Sequence, residues 1–484
     1  MLYRCQGGFH PCFVTMAEIS TVEAFKQFYS MGLIIFSIII VIALMFTENT
    51  KMAADAHPVV ALVVMTLGVT WMSMVEGGQC SMVGLPPIDR ELYKESHPIT
   101  YQITSLGHKG DNLDRYLMGR QFMVIFINFT INLCGSPLEG ANVLGLPGWL
   151  TDIFLGSGIA MVLTVVNIGQ LTAQVNASHC MLDYIDTHFM TFTLYVTLLI
   201  EATGVMHVCY LIRDLIQHAA GKPLSSNEPD RNPVQDLFYW GRVFFSLFVL
   251  SFALAVTFRS LFDGKTTMWP AVPNGLALVL FFGLMSVVGL LEGMQIAFFA
   301  VAKFKENERG DSAVAKKTCD LLFKGDGHNL PGFMVGRQMT VTLCFFIIAR
   351  VTTLNVEVGT GENVFQVSDG LQEFFNLGFL GAIITTILAS ISWQLVAGAF
   401  PIAFLSNPVV YIFLNIALGI EATGICAGAW FMGMLHKKAA GFQLDEVYVG
   451  TAEERDAAQK KKALEGGMTE VRVMAGTDVQ SGHL

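Results

Sequence analysis

Two copies of a short polar motif, E-G-x-Q, end long apolar runs in this chain of 484 residues. The first copy is Glu76-Gly77-Gly78-Gln79 and the second is Glu292-Gly293-Met294-Gln295, 216 positions later. On a helix the Glu and the Gln of each copy share a face, and the glycine between them permits close approach. A carboxylate accepts hydrogen bonds, whereas an amide both donates and accepts them. This chemistry favours a small neutral polyhydroxyl solute over an ion. A single copy would more simply be the polar end of a helix, but two matched copies favour a binding role.

A second pair of motifs, G-R-Q, opens two further apolar runs. Gly119-Arg120-Gln121 recurs as Gly336-Arg337-Gln338, 217 positions later. The arginines alone fit equally well with side chains that extend to lipid head groups. The glutamines are more informative, because an unpaired amide in the first turn of a membrane helix is costly. The motif glutamines are therefore predicted to form two symmetry-related polar clusters.

A third pair, I-E-A-T-G, could bind a coupling ion. It places Glu201 and Thr203 in one apolar run, and Glu421 and Thr423 in another. An ionisable residue deep in a membrane segment suggests function. Carboxylate, hydroxyl and freed carbonyl oxygens suit a hard cation. A proton carried by the Glu, or a structural Glu bonded between helices, remains an alternative.

The composition predicts an all-α polytopic membrane protein. Hydrophobic residues make up 53% and charged residues 14%, against about 25% charged residues in soluble domains. The apolar runs reach the roughly 20 residues that a helix needs to cross a bilayer. We find ten of them, at 28–47, 59–75, 121–135, 153–172, 189–212, 238–258, 271–301, 334–354, 374–396 and 408–435. The sequence Gly264-Lys265-Thr266 lacks the first glycine of a phosphate-binding loop, so hydrolysis of ATP is not supported.

The motif pairs, together with Gln170-Leu171 and Gln394-Leu395, keep one order along the chain at offsets of 216 to 224. They predict two five-helix repeats. An odd number of crossings inverts the second repeat relative to the first, as in many secondary transporters. The predicted segments are a cytosolic N-terminal segment at 1–27, the repeats at 28–213 and 238–436, a polar linker at 214–237 and a cytosolic tail at 437–484. Within the tail, Thr451–Leu464 is predicted to be a helix capped by Thr451 and Glu454.

With these motifs, and with the stretch Cys180-Met181-Leu182-Asp183, the chain resembles the silicic acid transporters of diatoms from Met31 to Leu435. The resemblance implies sodium-coupled uptake of orthosilicic acid across the plasma membrane. It also implies that the residues of the E-G-x-Q and G-R-Q motifs are the silicic acid ligands: Glu76, Gln79, Gly119, Arg120, Gln121, Glu292, Gln295, Gly336, Arg337 and Gln338.

The leading hypothesis is an alternating-access symporter, with sodium as coupling ion and no other cofactor. A passive channel for the same solute is the alternative. An intramembrane enzyme lacks a nucleophile–base pair or metal-ligand spacing in the helices. The expected partners are silicic acid, sodium and the lipid bilayer, with no nucleic acid, and a homo-oligomer is left open. Inversion would put the two E-G-x-Q copies near opposite membrane faces, where they would act as an outer and an inner gate.

Overall fold

The computed structural model describes residues 21–455, except 139, 157, 220, 222–227, 229–230, 303–308, 310, 325–327 and 452–453. Within these residues the chain forms no β-strand, only helices, turns and two isolated β-bridges. The bridges join Thr50 to Pro137 and Thr266 to Leu354. The predicted all-α class is therefore confirmed for this part of the chain.

The helices of the first half follow the predicted apolar runs and add short connecting helices. They are α1 Thr21–Phe46, α2 Lys51–Asp55, α3 Pro58–Gly84, α4 Pro98–Gly107, α5 Asn112–Gly135, α6 Gly148–Thr151, α7 Ile159–Thr164, α8 Thr172–Ala177, α9 Met181–Ile185, α10 His188–Ala202 and α11 Val208–Ala219. Two segments of π-helix, 152–156 and 165–171, adjoin α7.

The second half has the same succession of long and short helices. They are α12 Pro233–Phe262, α13 Asn274–Ala302, α14 Ala313–Leu322, α15 Asn329–Thr352, α16 Asp369–Asn376, α17 Phe379–Thr385, α18 Ser392–Ala399, α19 Pro401–Leu405, α20 Pro408–Ala422, α21 Gly428–Ala440 and α22 Glu446–Val449. A π-helix at 386–391 joins α17 to α18. The helices on either side of the predicted linker thus reach to Ala219 and start at Pro233, so the connection is shorter than 214–237.

Eight helical segments of the described chain are long and apolar enough to cross a membrane, and α10 and α20 are shorter apolar helices. Apolar side chains face outward on the long helices: Ile35 and Ile39 of α1 and Phe244 and Phe248 of α12 are between 48% and 69% exposed. Polar side chains such as Gln79 are buried instead. This distribution fits a protein in lipid. The count of ten crossings and their inverted relation stay predictions.

The fifth apolar run of each half is two helices rather than one. Gly204 (φ 80°) ends α10 and Gly424 (φ 79°) ends α20, both in the left-handed region. Residues with a side chain rarely adopt this conformation, so the T-G pair of the I-E-A-T-G motif explains the break. Glu201 and Glu421 therefore lie at helix ends, one residue before the last helical position, and not in the middle of a continuous helix.

The first helix of each half holds the broken helix of the other half. Ser30 Oγ on α1 donates to Ile425 O (2.8 Å) and accepts a bond from Gly428 N (2.9 Å). Ser246 on α12 bridges the other break in the same way, donating to Val205 O at 2.6 Å. Polar backbone groups freed by a break in a membrane helix need such partners.

A cation lies beside the C-terminus of each shortened helix. Lys26 Nζ of α1 donates to Ala422 O, the last carbonyl of α20. The side chain of Arg242 on α12 packs against Gly204, where α10 ends. Positive charge is favourable at the C-terminus of a helix because the helix dipole is negative there.

The beginning of the tail packs on the first half. Asp445 Oδ1 accepts a bond from Leu182 N (3.0 Å), and Tyr448 OH donates to Asp183 Oδ1 (3.3 Å). Burial, and then the Asp183 carboxylate, raise the pKa of Tyr448. Thr451 and Glu454 form the predicted capping box, with bonds of 2.8 and 3.3 Å. Arg455 N donates to Thr451 O at 3.0 Å, as expected of a helix, and residues 452–453 and 456–464 of the predicted helix Thr451–Leu464 lie outside the described residues.

The glycines of the two G-R-Q motifs are points of close helix contact. A Cβ atom added to Gly119 would overlap Thr197 O of α10, and one added to Gly336 would overlap Ala417 O of α20. Both overlaps are with backbone, which cannot turn aside as a side chain can. These two positions therefore set the crossing of α5 with α10 and of α15 with α20.

Replacing Gly336 with Ala should lower the thermal stability of the detergent-purified protein, because α15 and α20 must move apart. Overpacking of this kind typically costs about 1–3 kcal/mol. Gly419→Ala on α20 is the matched control, since nothing lies within 4 Å of its added Cβ. Equal melting temperatures for the two variants would contradict the assigned crossing.

Candidate functional site

The first E-G-x-Q and G-R-Q motifs meet in one buried cluster. Glu76 on α3 forms an ion pair with Arg120 on α5, at 3.1 Å between Oε2 and Nη2. Arg120 Nη1 donates to Gln121 Oε1 at 2.8 Å. The other partner of the carboxylate is Gln174 on α8, whose Nε2 donates to Glu76 Oε2 at 2.9 Å. The cluster thus joins three helices of the first half.

The second pair of motifs forms the same arrangement in the second half. Glu292 Oε1 lies 2.6 Å from Arg337 Nη2, and Arg337 Nη1 donates to Gln338 Oε1, also at 2.6 Å. Gln394 Nε2 on α18 donates to Glu292 Oε2 at 2.7 Å. Arg337 Nε also donates to Leu291 O at 3.2 Å. Each carboxylate is therefore held by one guanidinium and one amide.

Two glutamine contacts join the clusters across the halves. Gln295 Nε2 donates to Gln79 Oε1 at 3.4 Å, and Gln338 Nε2 donates to Gln170 Oε1 at 2.8 Å. The two E-G-x-Q copies are thus in direct contact. The expectation that they form separate gates near opposite membrane faces is wrong, because α3 and α13 pack against each other at the glutamines.

Burial makes the two ion pairs the costliest groups in this network. Glu76 and Glu292 are each 4% exposed, and Arg120 and Arg337 are each 2% exposed. Taking opposite charges out of water carries a desolvation penalty of several kcal/mol per ion, which is offset only by good geometry and further hydrogen bonds. The neighbouring glutamines supply those bonds.

The glycines of the E-G-x-Q motifs make room for aromatic rings. An added Cβ would overlap the Tyr184 ring at Gly77 and approach the Phe404 ring at Gly293. The sequence predicts close approach by a solute or another backbone. The structure shows instead that α9 and α19 press these rings onto α3 and α13, beside the two carboxylates.

The fourth run of each half contributes a glutamine through a π-helix. The π-helix at 165–171 leads into Gln174, and the one at 386–391 leads into Gln394. Thr172 Oγ1 donates to the carbonyl five residues before it, and Ser392 Oγ does the same, both at 2.7 Å. π-Helical turns inside α-helices are frequent at functional sites.

These contacts correct one match of the predicted repeat. Gln394 corresponds to Gln174, 220 positions earlier, since both hold the equivalent carboxylate. The Gln170–Gln394 match is out of register by four residues, and Gln170 corresponds to Ser390. The I-E-A-T-G copies are also 220 positions apart. Applying that offset to Gln394 identifies Gln174.

Several amide atoms in the cluster lack a partner although they are buried. Among the described residues they are Gln79 Nε2, Gln295 Oε1, Gln174 Oε1 and Gln394 Oε1. Most buried polar groups are hydrogen-bonded, so such exceptions require an explanation. One donor and three acceptors in neighbouring helices are suited to a ligand that can both give and take hydrogen bonds.

Glu201 of the predicted ion-coupling set is enclosed by polar side chains. Its Oε1 lies 3.3 Å from Tyr210 OH and 3.3 Å from His207 Nε2. Thr203 is exposed, and its hydroxyl donates to Ile200 O at 2.7 Å. The structure therefore does not bring the Thr203 hydroxyl to the Glu201 carboxylate.

Glu421 has a more open setting. Its side chain is 22% exposed, and its Oε1 lies 3.9 Å from Nε2 of the half-exposed His328. The Thr423 hydroxyl donates to Ile420 O at 2.7 Å. In the described residues no group of three or more His, Cys, Asp or Glu side chains could hold a metal ion.

The C-M-L-D stretch packs against neighbouring segments of the protein. Asp183 Oδ1 lies 2.9 Å from His97 Nε2, and the carboxylate also accepts a bond from Gln443 N of the tail. Burial raises the pKa of the Cys180 thiol to about 11, so the thiolate is disfavoured. This stretch fastens α4, α9 and the tail to one another.

Comparison with known proteins gives one match. A sequence model described as silicon transporter matches residues 18–483. No curated protein sequence and no solved structure matches the chain. The matched region contains both polar clusters and both helix breaks, and it confirms the resemblance stated from the motifs.

Removing one residue of either ion pair should destabilise the fold strongly, and removing the second residue as well should cost little more. Glu292→Ala leaves the Arg337 guanidinium buried and unpaired, which costs about 3–5 kcal/mol. The double variant with Arg337→Ala should lose much less than the sum of the two single losses. Chemical or thermal unfolding in detergent measures this coupling.

The exposed pair Glu91–Lys94, at 3.0 Å, is the matched control. Its double-mutant cycle should show no resolvable coupling, since water screens exposed charges. Additive losses at Glu292 and Arg337 would show that the pair does not act as a unit.

Proposed function

The chain belongs to the silicon transporter family, and we propose that it is a sodium-coupled symporter that carries orthosilicic acid by alternating access. The supporting observation is the contact between Gln79 and Gln295, where a buried donor and a buried acceptor have no partner. Orthosilicic acid is small and neutral, and each of its four hydroxyls can donate and accept. It would supply the missing bonds from between α3 and α13.

The surrounding charges favour a neutral solute. The carboxylates Glu76 and Glu292 and the guanidinium groups Arg120 and Arg337 are paired with one another. The cluster therefore carries no excess charge that would select an ion. The motif glutamines would contact silicic acid. Among them, Gln121 and Gln338 are held by the guanidinium groups of Arg120 and Arg337.

Matched contacts in the two halves support a repeat, which we propose is inverted and moves by rocking. Three features recur at equivalent positions in the two halves. They are the Glu–Arg–Gln clusters, the helix breaks at Gly204 and Gly424, and the hydrogen bonds that Ser30 and Ser246 make across those breaks. Inverted repeats in transporters enclose the substrate near the midplane and alternate by moving one unit against the other. We propose this arrangement here, with ten crossings in which α10–α11 and α20–α21 are broken.

For the coupling ion we place Glu421 before Glu201. The Glu421 carboxylate is partly exposed, and His328 Nε2 lies 3.9 Å from it. Glu201 already lies against Tyr210, His207 and neighbouring guanidinium groups. Sodium prefers oxygen ligands, as hard cations do. We further propose a plasma-membrane location with both termini cytosolic.

Replacing both Gln79 and Gln295 with Ala should abolish silicic acid uptake, because the central amides are then lost from both halves. Uptake into proteoliposomes, normalised to the amount of folded protein, measures this. Gln372→Ala is the control, since Gln372 is a buried glutamine whose bonds go to Val364 and Asn376. Undiminished uptake by the double variant would show that the central amides are not part of the binding site.

A sodium gradient should drive uphill accumulation of silicic acid in proteoliposomes. Glu421→Gln should raise the sodium concentration for half-maximal uptake about tenfold or more, and Glu201→Gln should raise it less. Equilibration that ignores the gradient would favour a passive channel. Absence of any silicic acid flux would contradict both transport mechanisms.

A further inference from the structure

Two glutamines outside the recognised motifs complete the polar clusters. Gln174 and Gln394 are both 0% exposed. Each donates through Nε2 to the carboxylate of its own half, Glu76 or Glu292. Since an ionised carboxylate can only accept, the amide orientation follows from chemistry. The oxygen of each amide must be the atom that points away from the carboxylate.

Those two oxygens have no hydrogen-bond partner in the described structure. Leaving a buried acceptor unsatisfied costs its full desolvation penalty, and here it happens at equivalent positions in both halves. Holding the carboxylate alone would not require a side chain with a second, orphaned polar atom. The recurrence points to a partner that is sometimes present.

The local backbone supports the same interpretation. A π-helical segment precedes each glutamine, at 165–171 and at 386–391. Such segments are rare and are associated with functional sites. The equivalent side chains Thr172 and Ser392 each bond the carbonyl five residues earlier, within these segments. The π-helical turns thus position the amides of Gln174 and Gln394 against the carboxylates on α3 and α13.

We propose that Gln174 and Gln394 are specificity-determining ligands, each accepting an O–H bond from a hydroxyl of the substrate. The proposal rests on the transport function given above. A carbonyl oxygen offers only lone pairs, so it favours a protonated hydroxyl over a deprotonated oxygen. The site therefore selects neutral orthosilicic acid over its anion, and it selects analogues that keep every hydroxyl.

The test compares orthosilicic acid with methylsilanetriol, in which a methyl group replaces one hydroxyl. A site built to bond a hydroxyl strongly rejects the analogue that lacks it, because its own polar group is left unpaired. The wild-type protein should bind methylsilanetriol at least tenfold more weakly, measured as its inhibition constant against silicic acid uptake. Germanic acid, which keeps four hydroxyls, should compete well.

Gln174→Met and Gln394→Met replace the amide with an apolar side chain of similar length. In each variant the KM for silicic acid should rise, and the preference over methylsilanetriol should fall about tenfold. Gln372→Met is the control and should keep the wild-type preference. A purely structural role would change both affinities together and leave their ratio unchanged.

An unchanged ratio in both folded Met variants would overturn the proposal while leaving silicic acid transport intact. If neither variant folds, the wild-type competition decides: equal inhibition by methylsilanetriol and germanic acid would overturn it. A wild-type protein that carries no silicic acid would instead overturn the proposed function, and this proposal with it.

Discussion

The structure depends on two pairs of opposite charges kept out of water. A lone carboxylate or guanidinium would be very costly at such burial, so Glu76 and Arg120, like Glu292 and Arg337, must stay together. Keeping them together joins the second and third long helices of each half. The remaining lone pairs and protons also need amide partners. The fourth segment of each half supplies one, Gln174 on α8 and Gln394 on α18. The polar centre thus arises from the need to pair these charges, and it leaves several amide atoms and Arg120 Nε without a partner.

The contacts between the halves link this centre to the helix breaks. Gln79 meets Gln295 in the centre, while Ser30 and Ser246 each bridge the break of the opposite half. A movement of either half therefore displaces a break as well as an amide. Broken membrane helices are stable only where their freed backbone groups find partners. Since those partners come from the other half, each break is a position at which the two halves contact each other.

The sequence predicts the Glu–Arg–Gln clusters, but it does not predict the glutamine that completes each of them. Glu76, Gln79 and Arg120 with their repeats were identifiable because each stands out from an apolar run and recurs at one spacing. Gln174 was missed because π-helical insertions alter the local period and Gln170 offered a competing match. A loosened helix at Gly204 was predicted, but not that α10 ends there, because hydropathy averages over a run and does not register a left-handed glycine. The packing role of Gly119 depends on a helix crossing that no local pattern contains.

The two halves agree in the centre and differ at their breaks. Glu201 is enclosed by His207 and Tyr210, and the equivalent positions in the second half are Ala427 and Trp430. Glu421 is left more open as a result. A neutral solute that binds between matched amides can be held in the same way from either side of the membrane. In the proposed symport one carboxylate would bind the coupling ion, and the more open Glu421 is the candidate. The asymmetry of the breaks is therefore compatible with the symmetric substrate site and the single ion site proposed above.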